Sequence, residues 1–498
     1  MTARRPDRTL VVLCVLLALA VAALLALLTR DFLLPRLVAA PAAPPSAASS
    51  PTSPTTTALP SPTRPPSPSP SAETPGEVPT PAEVADAVEP GLAAAPGTVS
   101  AQFRDLATGR VLFSQDAEEP VAPASAVKIL TGAAVLDALG SDATLPTRVV
   151  VLPAEDGEAT ELVLVGGGDV LLGTGASDPS RVDGRAGLRT LAERTLAGLA
   201  ERGVTGPVVV STDLRLFEDA DPLNPAWSAG MVESGNIAAV QPLATYGGRA
   251  TPGTGQDRVA DPAASAARAF QAELDALADA AAEGDDGATA SDPAPVEVSL
   301  REEVPPTRAA RDEVWAAEPV AEVRSAPVGE QVAYLLAHSE NQVAEALAHT
   351  AAATAGRPAT HAGAAALLEA EAADLGVDPA GMDVVDASGL AAANRLSADQ
   401  LVGVVTGLAA DPARALVLDA LPRPGEDSTL GERFPSPPAR DAVAAKTGTL
   451  DQTVSLTGTV TTTSGRVLAF SVVCSGVDWQ IAPARAAIDE AVAAVAAL

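Results

Sequence analysis

Lysine occurs only twice in this chain of 498 residues, at Lys128 and Lys446, and every other basic side chain apart from histidine is arginine. Arginine stays charged in any protein environment, whereas a lysine amine can lose its proton when it is buried. The two lysines therefore mark places that need a compact amine able to deprotonate. Because they lie in distant parts of the sequence, a shared role requires a domain assembled from both halves of the chain.

Three short polar motifs contain both lysines. They are Ser125-Ala126-Val127-Lys128, Ser339-Glu340-Asn341 and Lys446-Thr447-Gly448-Thr449. Each motif has an ordinary explanation when it stands alone. Ser-x-x-Lys is common on the solvated faces of helices, Ser and Asn are common helix caps, and a lysine on a strand is commonly a surface residue. Together and in this order they are typical of serine acyltransferases that recognise penicillin. The three motifs therefore predict one catalytic site.

Ser125 and Lys128 are the predicted nucleophile and base. They lie three residues apart at the start of a predicted helix, so their side chains share one face. A serine hydroxyl needs a neighbouring base, and lysine serves as one only if its pKa falls from about 10.4 towards neutrality through burial or a nearby cation. Lys446 is the candidate for that second cation. The helix N-terminus also offers backbone N–H groups to a developing oxyanion.

The other two motifs supply groups that are suited to holding a substrate. Ser339 is a candidate proton relay, and Asn341 is a candidate hydrogen-bond partner for a substrate amide. Gly448 allows a ligand to approach the backbone of a predicted edge strand closely. A substrate carboxylate is matched by the amine and hydroxyls of Lys446, Thr447 and Thr449.

Several other functions are disfavoured by the sequence. The net charge of −31 argues against a nucleic-acid partner, because a duplex would repel the chain. No Gly-x-Ser-x-Gly elbow of a Ser-His-Asp hydrolase is present. The three histidines, His338, His349 and His361, show no metal-ligand spacing, and we interpret each as a helix-surface residue. We therefore expect neither a metal nor a cofactor.

The N-terminal region predicts a membrane anchor and a spacer. Residues 10–28 form an unbroken apolar run that nearly matches a bilayer core of about 30 Å. The arginines ahead of the run predict that residues 1–9 are cytoplasmic and that everything after the run is extracytoplasmic. A cleaved signal peptide, with small residues at Val38-Ala39-Ala40, is the alternative. Residues 36–80, rich in Pro, Ser and Thr, predict a disordered linker.

The remaining sequence predicts an α+β fold. Hairpins are predicted on either side of Thr108-Gly109 and of Ser464-Gly465, and helices over Ala124–Leu139 and at the C-terminus. We therefore expect a catalytic domain formed by residues 81–145 and 315–498. Residues 146–314 contain further predicted strands and helices, and we interpret them as one or more inserted smaller domains.

Beyond the three motifs, the chain from about Val99 onward resembles the low-molecular-mass, class C penicillin-binding proteins, which are D-Ala-D-Ala carboxypeptidases/endopeptidases of peptidase family S13. Glu340 departs from that pattern, in which Asp is common at this position. The long insertion between the first two motifs also fits this family better than the class A β-lactamases. Further landmarks of the resemblance are Pro123–Thr131, Leu164–Asp169, Asp213, Phe217, Trp227, Asp386–Leu390 and Asn394–Ser397.

The resemblance implies a transpeptidase-like domain of the penicillin-binding-protein/β-lactamase type, interrupted by two smaller domains. It implies that Ser125 attacks the carbonyl between two D-alanines of a peptidoglycan stem peptide, with Lys128 as the base. Ser339 would help to protonate the leaving D-Ala, and Asn341 would hold the acyl amide. Lys446, Thr447 and Thr449 would hold the terminal carboxylate. Backbone N–H groups of Ser125 and Thr449 would form the oxyanion hole, and β-lactams would be inhibitors.

Two alternatives to the carboxypeptidase remain open from the sequence. A β-lactamase of related fold would need an efficient deacylation base, and none is evident among the motifs. A catalytically silent peptidoglycan-binding scaffold would not need to retain both lysines within intact motifs. The balance of carboxypeptidase and endopeptidase activity, the preferred third residue of the stem peptide and the oligomeric state are not encoded in any motif.

Overall fold

The computed structural model describes residues 76–152, 159–255, 257–283, 298–300, 314–412 and 414–498. The strands are β1 Thr98–Asp105, β2 Val111–Gln115, β3 Pro146–Leu152, β4 Thr160–Val165, β5 Val208–Asp213, β6 Val298–Leu300, β7 Ala321–Arg324, β8 Val443–Leu450, β9 Thr453–Thr461 and β10 Val467–Ser475. The helices are α1 Pro81–Ala93, α2 Lys128–Leu139, α3 Leu188–Glu201, α4 Ala229–Glu233, α5 Pro262–Glu283, α6 Val328–His338, α7 Asn341–Thr354, α8 His361–Asp374, α9 Ala398–Ala410, α10 Leu416–Asp419, α11 Ala439–Ala442 and α12 Ile481–Ala496.

The first sheet joins the two ends of the described chain. Its strand order is β2-β1-β10-β9-β8, with every neighbouring pair antiparallel. The N-terminal strand β1 pairs with the C-terminal strand β10, so that Phe103 lies opposite Phe470 and the two rings stack. Both predicted hairpins, β1–β2 and β9–β10, are confirmed, and so is the α+β class.

Helices cover both faces of the first sheet. Successive side chains of its central strands therefore point alternately into two different cores. On β10, Val472 and Cys474 point into a core that includes residues of α1 and α12. Val473, between them, points into the larger core formed with α2 and α6–α9. The sheet is buried on both sides, which explains why β10 is a nearly continuous apolar run. Strand β9 instead alternates apolar residues with Ser and Thr, although it is also almost completely buried.

The second sheet is formed by the segment that follows α2. Its order is β6-β5-β4-β3-β7; β4 and β5 are parallel, and α3 connects them. Apolar residues of α3 and α5 pack on one face of the sheet, and Phe270 is fully buried there. Strand β7, at Ala321–Arg324, pairs with β3 of the same sheet. The predicted domain boundaries stay predictions.

The helix expected over Ala124–Leu139 begins differently from the prediction. Residues Ala124–Val127 form a 3₁₀ turn, and the α-helix starts at Lys128 and ends at Leu139; Gly140, its C-cap, has a positive φ of 81°. Among the described helices, none is both long and apolar enough to cross a bilayer. The predicted span at residues 10–28, and the linker up to residue 75, lie outside the described residues.

Candidate active site

The turn that carries Ser125 is tightly held from two sides. Ala124, immediately before it, adopts a left-handed conformation with φ of 50°, which a residue with a side chain rarely takes. The Ser455 hydroxyl of β9 donates to the Pro123 carbonyl at 2.8 Å. A Cβ atom on Gly389 would lie 2.0 Å from the Ala124 carbonyl oxygen, so only glycine fits beside the turn. These contacts fix the position of Ser125.

Lys128 is fully buried directly behind Ser125. Its Nζ donates to Ser125 Oγ at 3.1 Å, to Asn341 Oδ1 at 2.7 Å and to the Ser388 carbonyl. Burial lowers the pKa of Lys128 to about 8, although carboxylates at Asp386 and Glu345 oppose that decrease. The amine therefore lies within hydrogen-bond distance of the serine and has a lowered pKa, the two conditions that the predicted base must meet.

The loop 386–391 supports Lys128 through a set of hydrogen bonds. The Asp386 carboxylate accepts from the Gly389 and Ala391 N–H groups at 2.7 and 2.6 Å and from Trp227 Nε1 at 2.7 Å. Beneath the loop, Glu345 Oε1 accepts from the backbone of residues 387 and 388. Burial and the nearby Asp386 charge raise the pKa of Glu345 to about 8. The loop thereby presents the Ser388 carbonyl to the lysine.

The second motif lies at the junction of α6 and α7. Ser339 ends α6 in a left-handed conformation with φ of 55°, and Asn341 begins α7. Asn341 Nδ2 donates to the Asn236 carbonyl at 2.9 Å while its Oδ1 accepts from Lys128. Ser339 caps the C-terminus of α6 through its backbone N–H, and the N-cap residue of α7 is Glu340 rather than Ser339 or Asn341.

Glu340, between the two motif residues, is buried against two arginines. Its carboxylate accepts from Arg249 Nη1 at 2.7 Å and from Arg258 Nη2, and all three side chains are at most 6% exposed. These arginines lie in the inserted segment and carry no recognisable motif, so the sequence analysis did not find them. They anchor the start of α7 and hence Asn341.

The third motif lies on edge strand β8, as predicted. Lys446 is fully buried, and its Nζ donates to the Thr447 carbonyl at 2.8 Å. Burial, followed by repulsion from the Lys128 and Arg433 cations, holds the pKa of Lys446 well below its usual range. Burial is the main cause at both lysines. The cation that helps to lower the pKa of Lys128 is Arg258, and not Lys446 as expected. Gly448 leaves room for Ser455, whose Oγ would be 2.2 Å from an added Cβ.

One cavity of about 260 Å³ brings the three motifs together. Five of the eight predicted site residues line it, namely Ser125, Ser339, Asn341, Thr447 and Thr449. The two lysines are buried next to lining residues, to which they donate the hydrogen bonds described above, and Gly448 lies on β8 between two lining threonines. The lining also includes Gly389 and Leu390, which the sequence analysis named as landmarks of the resemblance without a role in the site. It further includes residues that the sequence analysis missed, namely Asn236, Thr429, Arg433, Leu450 and Arg485. Thr429 accepts a hydrogen bond from the Thr447 hydroxyl at 2.8 Å. The geometry brings the residues together, and their roles stay predictions.

Two of the three histidines are not on helix surfaces, which corrects the sequence interpretation. His349 is fully buried and His361 is 7% exposed, and both lie beside Asp219. His338 is half-buried and stacks beside Tyr334 with ring centroids 4.7 Å apart. The helical spacing of the histidines did not reveal this burial. Helices α7 and α8 are buried on nearly all sides, so their polar residues are buried as well.

Comparison with known proteins identifies the class to which this fold and site belong. The model of the D-Ala-D-Ala carboxypeptidase 3 (S13) family matches residues 83–290 and 303–497. The chain belongs to this family, in agreement with the resemblance of its motifs.

Curated relatives and solved structures agree with that assignment. Carboxypeptidase DacB of Mycolicibacterium smegmatis is 32% identical over 386 residues, covering 75% of this chain and 76% of that protein. The D-alanyl-D-alanine carboxypeptidase of Actinomadura sp. strain R39 is 28% identical over 451 residues, covering 78% and 79%. The crystal structure of penicillin binding protein 4 (dacB) from Haemophilus influenzae has a similar fold, with a TM-score of 0.63 and 17% identity over 81% of this chain and 97% of that one.

Proposed function

We propose that this chain is a serine-type D-Ala-D-Ala carboxypeptidase that acts on peptidoglycan stem peptides through an acyl-enzyme on Ser125. One observation carries the proposal: the buried Lys128 amine contacts Ser125 Oγ at 3.1 Å and has a pKa lowered to about 8. An amine in this state takes a hydroxyl proton near neutral pH, whereas an exposed lysine remains charged.

The acylation step follows from these positions. Ser125 Oγ attacks the carbonyl between the two terminal D-alanines while its proton moves to Lys128 Nζ. Backbone N–H groups of Ser125 and Thr449 stabilise the oxyanion of the tetrahedral intermediate. The C–N bond then breaks, and the leaving D-Ala nitrogen takes a proton by way of Ser339. Water subsequently hydrolyses the serine ester and releases the shortened peptide.

The charge around the cavity suits a substrate that ends in a carboxylate. Arg433 and Arg485 line the cavity, and Lys446 lies beneath Thr447. Cationic groups that line a cleft in an otherwise acidic protein concentrate anionic ligands there. The Thr447 and Thr449 hydroxyls then provide directional contacts to the carboxylate, and Asn341 holds the acyl amide.

The proposal includes an extracytoplasmic location with a single N-terminal membrane anchor. It is supported by the apolar run at residues 10–28, by the arginines before it and by the Pro-rich linker after it. Peptidoglycan is the substrate on that side of the membrane. Cell fractionation with intact-mass analysis of the N-terminus tests this part: protein in the membrane fraction with residues 10–28 retained supports the anchor. A shortened chain in the medium would show that the segment is a cleaved signal.

The enzymatic proposal is tested by two measurements on the purified protein. Release of D-Ala from a pentapeptide ending in D-Ala-D-Ala is expected, and intact mass after incubation with benzylpenicillin should show a persistent adduct. Ser125→Ala should abolish both signals. Rapid hydrolysis of the drug without an adduct would point to a β-lactamase. Intact drug, no adduct and no D-Ala release would favour the silent scaffold.

A further inference from the structure

Three potential metal ligands meet outside the cavity of the active site. Asp219 lies in the loop after β5, His349 in the middle of α7, and His361 at the start of α8. His349 Nε2 is 3.0 Å and His361 Nε2 is 3.8 Å from the same oxygen, Asp219 Oδ2. One ligand atom from each of the three residues lies within 4.8 Å of the others. Two of the chain's three histidines therefore converge on one carboxylate.

The hydrogen bond at the far side of the His349 ring fixes where its lone pair points. Nδ1 lies 2.8 Å from the Glu345 carbonyl oxygen, which can only accept, so Nδ1 carries a hydrogen. In the neutral ring, Nε2 then directs a lone pair at the Asp219 carboxylate, which is repulsive. A positive charge, either a proton on Nε2 or a metal ion, is needed between them. A backbone carbonyl that accepts from the second ring nitrogen is the usual arrangement for a metal-bound histidine.

A proton on His349 would not provide a hydrogen-bond partner for the ring of His361. Within the described part of the chain, neither ring nitrogen of His361 has a hydrogen-bond partner, although the ring is almost completely buried. Leaving such a group unpaired is costly. A buried imidazole nitrogen without a partner, 3.8 Å from a carboxylate oxygen, is available to bind a metal ion.

We propose that Asp219, His349 and His361 bind a divalent transition-metal ion, represented by Zn²⁺. Two imidazole nitrogens and one carboxylate oxygen form a donor set that zinc commonly takes. Ligands about 2.0–2.2 Å from one ion lie roughly 3–4 Å apart, so the observed spacings require only small side-chain movements. Asp219 is 18% exposed, which leaves water a route to a fourth coordination position.

The proposed ion would connect segments of the chain that position the active site. It would join the loop after β5 to α7, the helix whose first residue is Asn341. The His361 ring also packs edge-on against Trp227, with centroids 5.4 Å apart, and Trp227 donates to Asp386 in the loop behind Lys128. These three ligands are therefore positioning residues, and their first measurable effect is on metal content and stability.

The test measures metal binding directly. The full-length protein is stripped with a chelator, incubated with Zn²⁺ and freed of unbound ion, and its metal content and melting temperature are measured. We expect one tightly bound zinc per chain and a higher melting temperature with zinc than without it. Co²⁺ in place of Zn²⁺ should give the intense visible bands of a four- or five-coordinate site with nitrogen and oxygen ligands. Wild-type protein that gives neither zinc nor cobalt binding would overturn the proposal.

Two variants separate this site from zinc bound loosely at the acidic surface. His361→Leu should lose one zinc per chain and the zinc-dependent rise in melting temperature. It should be at least as stable as the wild type in chelator, because it removes two unpaired buried nitrogens. His338→Gln, which changes the histidine outside the cluster, should retain the ion. Equal zinc content in wild type and His361→Leu would refute the assignment and leave His349 as a protonated partner of Asp219.

Discussion

The pH dependence of acylation gives a quantitative test of Lys128 as the base. Its pKa is lowered to about 8 by burial, so the neutral, proton-accepting form increases as the pH rises through 8. About one tenth of the amine is neutral at pH 7 and about nine tenths at pH 9. The second-order rate constant for acylation of Ser125 by benzylpenicillin should therefore increase about tenfold over this interval and then level off. An amine with the usual pKa of about 10.4 would give roughly a hundredfold increase with no plateau.

The assay is a time course of adduct formation, followed by intact mass at each pH from 6 to 10. Lys128→Arg is the matched variant, because it keeps a positive charge but cannot supply a neutral base. Its acylation should be slower by about 10²–10⁴ and should show no inflection near pH 8. A wild-type rate that keeps rising tenfold per unit to pH 10, or that does not change with pH, would refute the assignment of the base.

Three further substitutions test the supports of the site. Gly448→Ala places a Cβ 2.2 Å from Ser455 Oγ, so it should cost about 1–3 kcal/mol in unfolding free energy and slow acylation at least tenfold. Glu340→Gln leaves two buried arginines without a full counter-charge and should cost about 3–5 kcal/mol, measured by urea unfolding. Trp227→Phe removes the hydrogen bond to Asp386, should cost about 1–3 kcal/mol, and should slow acylation through the loop behind Lys128.

For each of these three substitutions, one outcome would contradict the prediction. Gly175→Ala is the control for Gly448→Ala, because an added Cβ at Gly175 meets nothing within 4 Å. Equal acylation rates for both variants would show that the close approach at Gly448 is not needed. Unchanged unfolding of Glu340→Gln would mean that the buried ion pairs contribute no net stability. Wild-type acylation by Trp227→Phe would show that the loop holds its position without the indole.

The sequence predicted the elements whose patterns are local. Both hairpins flank Gly-containing turns between β-rich runs, and the C-terminal helix repeats its buried apolar residues Ile488, Val492 and Val495 with the helical period. The order of the three motifs predicted five of the twelve residues that line the cavity, together with the two lysines buried beside them. The 3₁₀ turn before Lys128 was missed, because the contacts from Ser455 and Gly389 that hold it come from distant segments.

Residues that act only through long-range partners could not be predicted. Nothing near Arg249 or Arg258 in the sequence shows that both reach Glu340, and the pairing exists only after the inserted segment folds against α7. The same reason applies to Asp219, which approaches the histidines from a loop far away in the sequence. Metal-ligand motifs are recognised by close spacing, and this cluster has none.

The hydrogen bonds of the loop 386–391 give a structural reason why the sequence landmarks Asp386–Leu390 and Trp227 occur together with the three motifs. A buried lysine with a lowered pKa works as a base only if an acceptor holds its amine beside the serine, and the Ser388 carbonyl is one of its three acceptors. That carbonyl is held from one side by Glu345 of α7 and from the other by Asp386 and its bond from Trp227. Trp227 in turn belongs to the segment between the first two motifs. The inserted segment therefore contributes to the positioning of the Lys128 amine.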